Sequence, residues 1–324
     1  MEAKELIGNG FIGNAAAAAR LSKRAAGQGG GGHAYLLTGP SGIGKHTLSE
    51  RFAAALLCEK PDGPCGTCTS CLLREAGNHP DYHRLPDEGN LTIAQVRDLS
   101  RALTLAPHSA RHQVGLIPDA HRLGIPAQNA LLKLLEEPPR RAILILTAQS
   151  PASLLPTTVS RCQRVPLGPV PAGELTKALA QRGVEDAEGI GARAGQRPGT
   201  AIRLADDPAA DAAIRETESA LLDIVREPVP QRLALAKRLA DEPDALPERL
   251  DTWIGLYRDS LRGGTPGGAR GGAGQGHTAE RLAEAVPLAK RIDSLVRLFA
   301  ARRKLRYNPN TQLLLEQLFL NLGT

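Results

Sequence analysis

The stretch GPSGIGKHT, residues 39–47, follows the short apolar run AYLLT at 34–38. An apolar run of that length, then a glycine-rich loop, then HTLSERFAAALLC, reads as buried strand, turn and helix. This is the setting of a phosphate-binding loop of the form G-x-x-x-x-G-K-[ST]. In such a loop backbone N–H groups wrap the phosphates, the lysine reaches the terminal phosphates and the hydroxyl holds magnesium. Gly39, Gly42, Gly44 and Lys45 stand where the motif needs them. His46 replaces the hydroxyl, and Thr47 comes one position late, turned about 100° around the helix. The expectation is a nucleotide-binding loop without efficient hydrolysis, with ATP and magnesium as doubtful ligands.

Outward from the loop, QVGLI (113–117) and AILILTA (142–148) are two further continuous apolar runs. A helix between them begins near Pro126 and is stopped by Pro138 and Pro139. TIAQVRDLSRAL places Ile93, Val96, Leu99 and Leu103 on one helical face. Apolar strands alternating with helices predict an α/β fold around a parallel sheet covered on both faces. A motor built this way needs an acid at the end of a second strand for the magnesium water shell, and a neighbouring acid for the attacking water. QVGLIPDAHRL offers Pro118 and Asp119 there. Proline carries no charge, so a second metal-handling position is lost and the chain reads as a poor ATPase.

VPLGPVPAGE (165–174) is proline-rich and reads as a hinge. The expected organisation is a P-loop domain at 1–168 with a cysteine module inserted at 58–71, a small helical lid at 169–208 and an all-α domain at 209–324. RGGTPGGARGGAGQG, within 262–276, reads as a flexible insertion in the last of these. The C-terminal stretch after it reads as two long helices broken at Asn308–Pro309. At 324 residues the chain is long enough for two or three domains. No apolar run reaches the roughly 18–20 residues of a membrane helix, and the N-terminus lacks the pattern of a signal peptide, so the expected location is cytoplasmic. A net charge of +6 permits nucleic-acid contact, but one Trp, four Tyr and four Phe are too few for a base-stacking platform.

Cys58, Cys65, Cys68 and Cys71 follow the spacing C-x6-C-x2-C-x2-C. Three-residue steps let thiolates converge from one tight turn, and a fourth from a helix end completes a tetrahedron. An iron–sulfur site would want another cysteine just downstream, where Arg74 and Glu75 stand. Structural zinc is expected, with His79 a fallback ligand and Cys162 an ordinary buried thiol.

GPSGIGKHT, the cysteine module, LIPDAHRLGIPAQNALLKLLEEPP, LILTAQSPASLLPTTVSRCQ and NPNTQLLLEQLFL together resemble bacterial clamp-loader subunits of the AAA+ class, part of the DNA polymerase III holoenzyme, nearest to its delta-prime branch. Through NALLKLLEEPP, Pro118 falls on the family's magnesium-handling Asp and Asp119 on its catalytic Glu. The resemblance implies an AAA+ module, a lid and a collar. It implies a hetero-pentamer with gamma/tau- and delta-type subunits, which loads a sliding clamp on primed DNA. Arg161, in SRC, matches the family's arginine finger acting on a neighbour's ATP site, and Thr147 its first sensor. The degenerate motifs suit a stator-like subunit rather than a hydrolysing gamma/tau-type one, and any enzymatic role would belong to the holoenzyme.

The remaining candidates are plainer. His33, His83, His108, His112 and His121 show no partner pattern for acid–base work. Glu136 and Glu137 end a helix against its dipole, which suits a specific contact but no catalytic role. RLFAARRKLR (297–306) reads as a solvated basic face. A hydrolysing motor of the same group and a DNA-binding accessory that uses the fold as a scaffold are the competing functions. Magnesium-dependent turnover would mark the first, and unaided, salt-sensitive binding to primed DNA the second.

Overall fold

The computed structural model describes residues 10–28, 32–61, 63–262, 275–305 and 309–323. Nearly all of the expected glycine-rich insertion at 262–276 lies outside them, as does Asn308. The described residues group into two compact units.

The first unit runs to Val170 and includes Arg197–Gly199. Its elements are α1 (Ala15–Ala25), β1 (Ala34–Thr38), α2 (Lys45–Leu57), α3 (Thr69–Glu75), β2 (Tyr82–Arg84), α4 (Ile93–Thr104), β3 (Gln113–Ile117), α5 (Ile125–Glu136), β4 (Ala142–Ala148), α6 (Pro156–Ser160) and β5 (Gln163–Pro166). The five strands form one sheet in the order β2-β3-β4-β1-β5, and every pair is parallel, with Leu36 opposite Leu146 and Arg164. All residues of β1, β3 and β4 are buried, as expected of strands covered on both faces. Successive residues feed opposite cores. Leu36, Leu144 and Leu146 join Leu99, Leu103, Leu131 and Leu135. Tyr35, Leu37, Ile143 and Ile145 join Leu48, Phe52 and Leu56 on the other face.

The expected strands are the three central ones. β2 and β5 are short edge strands with polar, partly exposed residues, so they lack the continuous apolar signal. On α4 the buried face is Val96, Leu99 and Leu103, while Ile93 is exposed. Thr92 caps this helix in a reciprocal pair with Gln95, which places Ile93 at the first helical position. The capping box, rather than the apolar period, sets the helix start.

The second unit takes Pro171–Gln196 and the chain from Thr200. It holds α7 (Ala172–Gln181), α8 (Ala187–Arg193), most of α9 (Pro198–Asp206), α10 (Pro208–Arg226), α11 (Val229–Ala240), α12 (Leu246–Arg262), α13 (Gln275–Ala285), α14 (Leu288–Lys304) and α15 (Thr311–Asn321). The stretch expected to form two helices forms three, because the chain breaks at Pro287, the N-cap of α14. A proline there has no N–H for the helix ladder and its ring crowds the preceding turn. Trp253, Tyr257, Leu298 and Phe319 are fully buried. Trp253 stacks edge-on to Phe319 at 5.7 Å and donates its indole N–H to Thr217 O at 2.8 Å. The buried Arg232 guanidinium donates to Val225 O, Glu227 O, Phe319 O and Leu322 O. It thereby satisfies orphan carbonyls at the ends of α10 and α15.

One face of α14 is unlike the rest of the unit. Leu288, Ile292, Val296 and Phe299 are 55%, 51%, 61% and 54% exposed, at steps of four, four and three that align them along the helix. The basic face expected at 297–306 is present within the described residues as exposed Arg297, Arg303 and Lys304, but Phe299 stands among them.

Glu218 on α10 is buried, and burial pushes its carboxyl up to about 7, against the lowering influence of Arg193 and of the Thr278 hydroxyl. Its Oε1 has no hydrogen-bond partner among the described residues. With the folded value above the unfolded one near 4.5, the native state binds more protons between those limits. Stability therefore falls as pH rises through that window. Glu218→Gln should remove this slope and stabilise the chain above pH 7 by about 1–3 kcal/mol. Urea melts at pH 5 and pH 8 check it. A variant no more stable than the parent at pH 8 would refute the assignment.

Candidate functional site

The glycine loop leaves the C-terminal end of β1 and enters α2 at Gly44, whose φ of 99° lies in the left-handed region. A Cβ at Gly44 would also come within 2.9 Å of the Phe11 ring. Phe11, which sequence reasoning gave no role, covers this part of the loop and carries the Arg51 guanidinium 5.9 Å from its centroid. Lys45 is buried, and its Nζ donates to Gly39 O and Pro40 O, both at 2.9 Å. Burial lowers its ammonium below the ordinary lysine value, with Asp119 acting in the opposite direction. Gly199 N–H donates to Gly42 O at 2.8 Å. The loop's lysine is thus satisfied by the loop itself, and a phosphate would have to take those bonds over.

His46 lies in a charged cluster. Its Nε2 is 2.8 Å from Arg84 Nη2, and Arg84 Nε donates to Glu50 at 2.8 Å. Glu50 also accepts from Tyr82 Oη at 2.9 Å and Arg74 at 3.3 Å. An imidazole shared with a guanidinium cannot replace a hydroxyl on magnesium. Thr47 is exposed on α2. The two other phosphate-end candidates do meet. Thr147 is buried at the end of β4, and its Oγ1 accepts from Asp119 N–H at 2.8 Å. Asp119 takes a left-handed backbone, φ 45°, a costly conformation for a non-glycine residue that a surrounding structure must hold in place. The structure therefore gathers Gly39, Gly42, Gly44, Lys45, Asp119 and Thr147 and leaves Thr47 outside.

Arg161 caps the C-terminal end of α6. Its Nη1 donates to Thr157 O at 3.0 Å, and its Nη2 lies 2.7 Å from Glu136 Oε1. Cys162 beside it is buried, and burial alone pushes its thiol up to about 12, as expected of an inert core cysteine.

Cys58 ends α2, Cys65 and Cys68 flank a tight turn, and Cys71 sits in α3. Their four sulfurs lie within 4.8 Å of one another, and Cys58 and Cys68 Sγ are 3.9 Å apart. Four sulfurs about 2.3 Å from one tetrahedral ion sit roughly 3.8 Å apart, so the set fits a metal. Backbone N–H groups of Cys68 and Cys71 donate to Cys65 and Cys68 Sγ at 3.3 and 3.4 Å, the outer-shell pattern of a metal knuckle. A Cβ at Gly63 would fall 2.4 Å from Cys58 Sγ, so that position needs glycine for close approach. His79 is no ligand. It pairs with Ser70 Oγ at 2.6 Å and accepts from Asp81 N–H at 3.0 Å, tying the module to the sheet.

A parallel sheet in this order, with a glycine loop after β1 and a helical region following, defines an AAA+-type fold. The profile of the family described as "DNA polymerase III, delta subunit" matches residues 14–171. DNA polymerase III subunit delta' of Pseudomonas aeruginosa is 38% identical over 71% of this chain and 73% of its own length. The delta' subunit of Haemophilus influenzae is 42% identical over 41% of this chain and 42% of its own. The tau subunit of Bacillus subtilis is 39% identical over 41% of this chain and 24% of its own. The chain belongs to the DNA polymerase III delta-prime family of clamp-loader subunits. No described helix is long and apolar enough to cross a membrane.

The cluster predicts close to one bound metal ion per purified chain. A strong chelator under reducing conditions should abolish amide protection across residues 63–75, while β1, β3 and β4 stay protected, and Cys68→Ser should do the same. Elemental analysis with hydrogen exchange decides it. A metal-free chain indifferent to chelator would end the assignment.

Proposed function

We propose that this chain is a non-hydrolysing, stator-like subunit of a cytoplasmic clamp loader. It assembles with gamma/tau- and delta-type subunits into a hetero-pentamer that places a sliding clamp on primed DNA. The observation that carries the proposal is the pair of damaged magnesium positions. His46 is engaged with Arg84, and Pro118 precedes an Asp119 whose N–H is held by Thr147. A self-satisfied Lys45 lies with them. Such a loop keeps the fold without promoting phosphoryl transfer.

In this function Arg161 is a finger acting in trans on a neighbour's ATP. A guanidinium on the γ-phosphate neutralises charge that develops on transfer, worth about 10³–10⁵ in rate at one site. The metal is zinc. Four cysteines and no open position make the site structural, with Cys58, Cys65, Cys68 and Cys71 as ligands and a stable fold for residues 58–75 as the chemistry it supplies. Residues 169–208 act as the lid and 209–324 as the collar. The exposed ridge Leu288, Ile292, Val296 and Phe299 supports the collar assignment, because an apolar stripe of this kind marks a protein contact.

Arg161→Ala should leave the isolated chain's melting and its entry into the complex unchanged. It should slow ATP turnover by the assembled loader at least several-fold. Unchanged turnover would refute the finger. Turnover of Mg-ATP by the isolated chain, lost in Lys45→Ala, would instead favour a hydrolysing gamma/tau-type subunit, for which the likeness to the Bacillus subtilis tau subunit speaks. For the collar, the double variant Val296→Glu, Phe299→Glu should melt like the parent yet fail to enter the pentamer on gel filtration. Normal assembly would remove the ridge from the interface.

A further inference from the structure

Arg161 and Glu136, 25 residues apart along the chain (161 − 136), bring together the two motifs SRC and NALLKLLEEPP. Nη2 of Arg161 lies 2.7 Å from Glu136 Oε1. Nη1 donates to Thr157 O at 3.0 Å and contacts Ser160 Oγ at 3.5 Å. The guanidinium is therefore held at both terminal nitrogens by its own chain. We infer that Glu136 is a positioning residue that sets the orientation of the Arg161 guanidinium before a neighbouring subunit's nucleotide meets it. This rests on the finger role proposed above.

The backbones beneath the pair are fixed. Leu134 and Leu135, just before Glu136, and Leu131 one turn before Leu135 are buried in the sheet's core. Thr158 and Cys162, on either side of Arg161, are buried as well. Gln128 bridges the two helices from inside. Its Nε2 donates to Leu123 O at 2.9 Å, and its Oε1 accepts from Leu155 N–H, at the start of α6, at 2.8 Å. α6 thus has a set place against α5, and Glu136 and Arg161 leave these two helices at fixed points.

The side chains themselves are exposed, Glu136 at 51% and Arg161 at 36%. An ion pair that open to water adds little to folding stability, so the fold does not depend on it. What it does is restrict a long, flexible side chain. A free surface arginine loses considerable rotamer freedom when it is fixed on a phosphate, and a partly fixed one loses less. Glu136 also sits at the last residue of α5, where the dipole disfavours an acid. The Arg161 cation offsets that cost, which accounts for an acid at a place the helix alone would not favour. Nη1 of Arg161 faces Thr157 O and Ser160 Oγ and Nη2 faces Glu136, which leaves the second N–H of Nη2 for an incoming phosphate oxygen.

The test is steady-state ATP turnover by the assembled loader, with sliding clamp and primed DNA present, for Glu136→Ala, Glu136→Gln, Arg161→Ala and the double alanine variant. Glu136→Ala should lower kcat by about 3- to 10-fold, with KM for ATP within about twofold of the parent. Glu136→Gln keeps an acceptor oxygen at the same reach and should recover most of the loss. In the Arg161→Ala background, Glu136→Ala should have no further effect, because a positioning group acts only through the group it positions. The isolated Glu136→Ala chain should melt at the parent's temperature. Parental or faster turnover in Glu136→Ala, with Arg161→Ala slow, overturns the positioning role and leaves the finger standing. Parental turnover in Arg161→Ala removes the finger, and the inference with it.

Discussion

A buried ammonium must be surrounded by oxygen, and Lys45 finds it in the carbonyls of Gly39 and Pro40. That one arrangement fixes the turn between β1 and α2, and β1 sits between β4 and β5 in the sheet. The loop is closed further by Gly199 on Gly42 and by Phe11 over Gly44. No phosphate is needed to satisfy its polar groups. A glycine loop of this kind is a structural turn in its own right.

The independence of fold from ligand explains which parts of the molecule were legible in the sequence. The central strands announced themselves because burial on both faces makes them mainly apolar runs, with Thr38, Gln113 and Thr147 at or next to their ends. β2 and β5 lie at the edges, where half-exposed residues such as His83 and Arg164 erase that signal. The four cysteines were readable because ligand spacing is local. Phe11 was not, because its contact is with a glycine 33 residues later (44 − 11) and carries no pattern. The same holds for Glu136 with Arg161. Nothing in either motif points to the other, and only the α5–α6 packing brings the two side chains to 2.7 Å. The apolar ridge on α14 was hidden by its basic neighbours, which made 297–306 read as a basic face although Phe299 within it, and Val296 just before it, are exposed.

The cysteine module shows the same economy at a smaller scale. Between Cys58 and Glu75 the buried side chains are few, with Ser70 and Cys71 chief among them on α3. So short a segment cannot close a hydrophobic core of its own. Its thiols differ widely, since the Thr67 N–H and hydroxyl lower Cys65 to about 5 while burial pushes Cys71 up to about 12. A bound cation would supply the charge that allows all four to be thiolates at once. Metal binding and the folding of this segment would then be one event. Ser70, bonded to Leu57 O at 2.7 Å and to His79, carries the resulting order to the end of α2.

α2 begins at the degenerate loop and ends at the cysteine cluster, while Arg161 lies on a separate pair of helices. That separation matters for the proposed function. His46 is exposed on α2, so a substitution there leaves the buried faces of the sheet intact. α2 packs its leucines into one core and α5 into the other, and Gln128 ties α5 to the start of α6. Among the described residues no hydrogen bond joins α5 or α6 to the glycine loop at 39–45. In the proposed function, the loop could therefore lose phosphoryl chemistry without disturbing Arg161.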